Sequence, residues 1–147
     1  MKRWGLVAAM TVAVLAASCR DPLGPERDAL ADARARWAAA EVASYRFDYL
    51  ALCYCGLVPV RITVSEGAVT TVEVLEPERV PGWNGPEGVT VEMLFDRIDE
   101  GLALDPVEAS VTYHPVLGYP TAASFDPEEN VADEEWGFTV TAFERLD

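Results

Sequence analysis

Two periodicities alternate along the chain. From Glu26 to Val42 it is rich in alanine and free of Gly and Pro, and Leu30, Ala33, Trp37 and Ala40 fall on one helical stripe. Glu26, Asp28 and Asp32 lie towards the start of this segment, with Arg34 and Arg36 further along, the order a helix dipole favours. From Tyr45 to Cys55 the period drops to two. Tyr45, Phe47, Tyr49, Ala51, Cys53 and Cys55 share one face and Arg46 and Asp48 the other, as in a half-buried strand. Val60, Ile62 and Val64 predict a second strand, Glu66-Gly67 a tight turn, and Val72 and Val74 a third strand of an antiparallel meander.

Glu76 to Val89 is a loop by composition, with Pro77, Pro81, Gly82, Gly85, Pro86 and Gly88, and Trp83 is expected to pack from it onto the core. Thr90 is a good N-cap for a second helix, whose apolar stripe is Val91, Leu94, Phe95, Ile98 and Leu102; Gly101 reads as its end. Strands follow at about Glu108 to His114 and Tyr119 to Phe125, around a turn from Pro115 to Gly118. After an acidic loop, a last strand from Trp136 to Phe143 places Trp136, Phe138, Val140 and Ala142 on one face. Helix, three strands, helix, three strands suggests a duplication, although no residue-level repeat accompanies it. The predicted fold is a two-layer α+β domain, a six-stranded antiparallel sheet with both helices on one face.

Residues 1–18 stand apart from this pattern. Met1-Lys2-Arg3 is a basic start, and Trp4 to Ala17 is an uncharged apolar run, too short to span a bilayer but suited to a signal peptide. Ala17 and Ser18 precede Cys19, as at the site where bacterial lipoprotein signal peptidase cuts after lipid attachment to the thiol. Leu15 lies one step further out than that pattern prefers, and Ala16-Ala17-Ser18 also suits ordinary secretory peptidase. Residues 19–25, with Pro22, Gly24 and Pro25, read as a lipid-anchored spacer, and residues 26–147 as one domain.

Charge narrows the partners. All 25 acids follow Cys19, against nine arginines, which leaves the mature part at −16. Such a surface repels phosphate backbones, so nucleic acid is not an expected partner. Solubility is the plain reading of the acidity, and a basic partner or a cation the sharper one.

Ser44-Tyr45-Arg46-Phe47 leads to Cys53-Tyr54-Cys55; Thr90-Val91-Glu92 is followed by Leu94-Phe95 and Ile98. Tyr113, Gly118-Tyr119-Pro120 and Ala132-Asp133-Glu134-Glu135 come next, before Phe138, Val140 and Phe143. In this order, from about Trp37 to Phe143, the pieces resemble an uncharacterised family of small bacterial exported proteins and lipoproteins, domain of unknown function 6174. His114 departs from it, since the family's run there looks like Tyr-Asp. The resemblance implies an envelope domain and transfers no catalytic residues.

Three groups carry candidate chemistry. In a regular strand Cys53 and Cys55 would lie about 6.6 Å apart, near the upper limit for a bridge, so a disulfide needs a local bend. An oxidising compartment favours that bridge; packed thiols, a metal or a redox role are the alternatives. A metal site on these thiols lacks further ligands, because the chain has one histidine. In the acidic loop, Asp126, Glu128 and Asn130 stand at positions one, three and five of a calcium loop, but Val131 and Gly137 occupy the sixth and twelfth, which excludes an EF-hand. A solvated loop is the simpler reading, with Asp126, Glu128, Asp133 and Glu134 as weak calcium candidates. His114 sits beside Pro115 in a turn and no serine occupies a nucleophile elbow, so no catalytic set assembles and no cofactor is expected. The leading expectation is a non-enzymatic envelope module, anchored through an N-terminal lipid, that binds a protein or peptide or serves a structural role. The rival is an extracytoplasmic enzyme using carboxylates or calcium.

Overall fold

The computed structural model describes residues 21–53, 58–82, 85–128, 131 and 134–147. Helix α1 (Gly24–Ala40) begins earlier than its periodicity indicates, because Pro25 fits the first turn, where a missing N–H costs nothing. Asp21 accepts the Leu23 N–H at 3.0 Å and pairs with Arg27, and Leu23 is buried. Within the spacer expected at residues 19–25, Leu23 is thus packed into the domain and Gly24 and Pro25 belong to α1. The helix closes at Glu41 in the left-handed region (φ 47°), with its N–H on Ala38 O.

The strands are β1 (Tyr45–Leu52), β2 (Val60–Ser65), β3 (Ala68–Val74), β4 (Glu108–Tyr113), β5 (Pro120–Asp126) and β6 (Trp136–Arg145), with α2 (Val91–Ala103) between β3 and β4. They form one antiparallel sheet in the order β3-β2-β1-β6-β5-β4. Glu66 and Gly67, both at positive φ, make the predicted tight turn between β2 and β3. Tyr45, Phe47, Val60, Ile62, Val64, Ala123, Phe125 and Phe138 are fully buried on one face, under the stripes Leu30, Ala33 and Trp37 of α1 and Leu94, Phe95, Ile98 and Leu102 of α2. The loop after β3 covers β2 and β3: a Cβ on Gly88 would stand 2.9 Å from Val72 Cγ2. The opposite face carries ion pairs, among them Arg61 on Asp48 at 2.7 and 2.9 Å and Arg46 on Glu144.

The two helices run antiparallel on the same face. Arg27 of α1 donates to Leu102 O at the end of α2 (3.0 Å), and Trp37 meets Glu92 at its start. The predicted two-layer α+β architecture is thus the observed one. A duplication does not survive the topology. Moving the first meander onto the second requires a shift along the sheet and reversal of strand direction, which also turns the face over. Repeated units would then put α1 and α2 on opposite faces.

Three local expectations are corrected. β1 ends at Leu52 and Cys53 lies in a bend, where alternation had the strand still running; Cys55 and Trp83 lie outside the described residues. Gly101 is not the end of α2, which runs on to Ala103; it lies against the sheet, where a Cβ would come within 2.9 Å of the Phe125 and Trp136 rings. In β6 the register against β1 slips between Arg46 and Asp48, and Ala142 takes φ 49°. That bulge leaves Ala142 exposed and passes its place on the inner face to Phe143, which stacks on Tyr119 at 4.1 Å and Tyr45 at 5.5 Å.

Candidate functional site

The last turn of α1 and the first turn of α2 enclose a groove of about 490 Å³. Its floor is Trp37, Val42 and Phe95, and its rim carries Glu41, Glu92, Asp96 and Arg34. Trp37 reaches it because it ends the buried stripe of α1; Glu92 reaches it because Thr90 caps α2, its Oγ1 accepting the Met93 N–H at 3.3 Å.

Glu92 is held in place from two sides. Trp37 Nε1 donates to Glu92 Oε1 at 2.7 Å, and the Tyr45 hydroxyl, which accepts the Val91 N–H at 2.9 Å, points its own hydrogen towards Glu92 Oε2 at 3.4 Å. Burial, reinforced by the negative charge of Glu92, pushes the Tyr45 hydroxyl far above its ordinary range, so it stays protonated and keeps donating. Trp37 meets Tyr45 edge-on with ring centroids 5.3 Å apart, which closes the floor. Arg34 pairs with Asp96 at 3.1 Å and lies 5.6 Å above the Phe95 ring. Fixed carboxylates above an aromatic floor suit a cation with an apolar stem.

The residues singled out in the sequence lie elsewhere. Cys19, Cys55, Asn130 and Asp133 are outside the described residues; Cys53 is half-buried at the end of β1. Asp126 Oδ1 accepts the Glu128 N–H at 3.2 Å, which shapes the turn leaving β5. Asp126 lines a polar hollow of about 280 Å³ on the open face of the sheet with Glu108 and Glu135, and Glu128 and Glu134 are not part of its walls. Among the described residues no group of three or more His, Cys, Asp or Glu is placed to hold a metal. His114 stabilises its turn. Its Nδ1 accepts the N–H groups of Val116 (3.3 Å) and Leu117 (3.0 Å), and its ring stacks on Tyr119 at 4.8 Å.

Sequence reasoning misses the groove. Trp37 and Tyr45 read as core and Glu92 as a first-turn acid, and each does serve in that way. A usable signal is present, since Tyr45 and Glu92 fall in the first two pieces of the family resemblance and Trp37 opens its span.

Fold and groove together define the class, a small two-layer α+β domain with an acidic groove between its helices. The chain belongs to the family of unknown function DUF6174, which matches residues 29–145. No curated protein and no solved structure matches it. The matched span includes Trp37, Tyr45 and Glu92 and ends with β6. Among the described residues no helix is long and apolar enough to cross a membrane.

Proposed function

We propose that this is a bacterial envelope lipoprotein, exported by residues 1–18 and anchored through Cys19, whose domain holds a basic segment of a partner protein in the groove between α1 and α2. The carrying observation is Glu92, fixed by Trp37 and Tyr45 at the mouth of an apolar groove whose rim also holds Glu41 and Asp96. Both Glu92 oxygens are already engaged, which suits binding better than proton transfer. A lysine or arginine could lay its stem on Trp37 and its charge against the rim, in keeping with a mature chain at −16.

The placement of the groove fits an anchored protein. Asp21, the first described residue, lies beside the C-terminal end of α2, and Trp37 lies about 20 Å further along the α1 axis. A tether at one pole leaves the groove at the other. The bend at Cys53 supplies the departure from strand geometry that a Cys53–Cys55 bridge requires, and the same oxidising compartment would form it.

Two experiments test the reading. In a bacterial host the full chain should reside in the membrane fraction with a mass showing a lipidated Cys19 and no free Cys53 or Cys55, and Cys19→Ser should release it. Intact Met1 on a cytosolic chain would sink export and anchoring together. For the groove, a lysine- and leucine-containing peptide should bind the full chain, and Glu92→Gln with Glu41→Gln should weaken it about tenfold or more. Equal binding by that double variant, or affinity unchanged between about 50 mM and 500 mM salt, would rule out an acidic groove as the binding surface.

A further inference from the structure

We propose that a second cavity, at the tether pole between the C-terminal half of α2 and the end of β1, binds a small monocarboxylate with an apolar body.

The cavity is about 350 Å³ and lies under Arg97, Glu100 and Leu104, with Tyr49 and Trp136 on its sheet side. That volume is within the usual range for small-molecule sites. Its polar centre is unusual for this chain. Among the described residues, Arg27, Arg34, Arg46, Arg61, Arg79 and Arg145 each pair with a carboxylate. Arg36 and Arg97 do not, and of these two it is Arg97 that lines the cavity. Its hydrogen bond runs from Nη1 to the neutral Tyr49 hydroxyl at 2.8 Å. Half-buried, and forming no ion pair even with Glu100 in the same cavity, the Arg97 guanidinium is available to a ligand.

The geometry selects the ligand. One of the five guanidinium N–H groups is engaged, which leaves enough for a bidentate grip on a carboxylate. Tyr49 is buried, and its hydroxyl, which accepts from Arg97, keeps its own hydrogen to donate to the same carboxylate. Leu52, Phe138, Trp136 and Leu104 wall the rest of the cavity, and Leu104, 73% exposed, would be covered by a hydrocarbon body. Glu100 at the rim repels any anion, and a doubly charged phosphate monoester about twice as strongly as a monocarboxylate, which favours the monoanion.

Calorimetry on the full chain with 3-phenylpropanoate, its neutral amide 3-phenylpropanamide, and phenyl phosphate tests the proposal. The acid should bind at least about tenfold tighter than the amide and tighter than the phosphate ester. Arg97→Gln should remove at least about tenfold of that affinity and Tyr49→Phe about threefold, with unfolding curves showing that both variants fold. The amide comparison stands even where a variant fails to fold. Equal binding of acid and amide, unchanged affinity in Arg97→Gln, or no heat from the acid at about 10 mM would each overturn it.

Discussion

Trp37 Nε1 donates to Glu92 Oε1 at 2.7 Å and so ties the last turn of α1 to the first turn of α2. Directly beneath, the Tyr45 hydroxyl links β1 to the same turn through Val91 N–H, at 2.9 Å. Two helices and the central sheet thus meet on one carboxylate and one phenol. The groove is built into the packing of the domain rather than added on a loop.

Two tyrosine hydroxyls in this core should respond oppositely to removal. Tyr45→Phe leaves the buried Val91 N–H unpaired and should cost about 1–3 kcal/mol in urea unfolding. The Tyr113 hydroxyl is buried without a partner among the described residues, so Tyr113→Phe should cost nothing or stabilise by up to about 1 kcal/mol. Equal losses for both would show that ring shape, not hydrogen bonding, dominates these positions.

Backbone conformation gives a second contrast. Gly118, at φ 84°, lies against α1, where a Cβ would meet the Ala33 carbonyl oxygen and stand 2.8 Å from Arg36 Cβ. Gly118→Ala should lose about 3 kcal/mol or more, read as a lower urea midpoint or loss of soluble protein. Ala142 occupies the left-handed region without being glycine and is exposed. Ala142→Gly should therefore raise stability by about 0.5–1 kcal/mol, net of the entropy glycine adds to the unfolded chain.

Acid should loosen the C-terminus. Asp147 accepts the N–H groups of Ala43 (2.8 Å) and Ser44 (3.2 Å) and Nε of Arg145 (2.6 Å), and these bonds, led by Ala43, hold its carboxyl below its ordinary value of 3.8. A depressed carboxyl stabilises the folded chain above its unfolded value, and the contribution disappears as the pH falls through the folded one. Wild type should be more stable than Asp147→Asn at about pH 6, and the gap should narrow as the pH falls below the ordinary value of 3.8. A gap independent of pH would mean that the charge of Asp147 contributes nothing.

The legible and illegible parts of this fold separate by range. The stripes Leu30-Ala33-Trp37 and Val91-Leu94-Phe95-Ile98-Leu102, and the alternation from Tyr45 to Tyr49, are local patterns, and both helices and β1 follow from them. The bulge at Ala142 is not legible because alanine carries no mark of left-handed backbone, so strict alternation puts Phe143 on the wrong face. Gly101 reads as punctuation because its purpose is set by Phe125 and Trp136, far along the chain. The groove is hidden for the same reason: Trp37, Tyr45 and Glu92 come from three elements, and only the tertiary fold shows that they converge.

Besides β2, β1 pairs with β6, the strand furthest from it along the chain. Until residues 136–145 are available, β1 keeps one edge open and the two meanders have nothing to join them. Closing that seam joins segments far apart in sequence, a non-local pairing whose loop entropy is lost before any contact repays it.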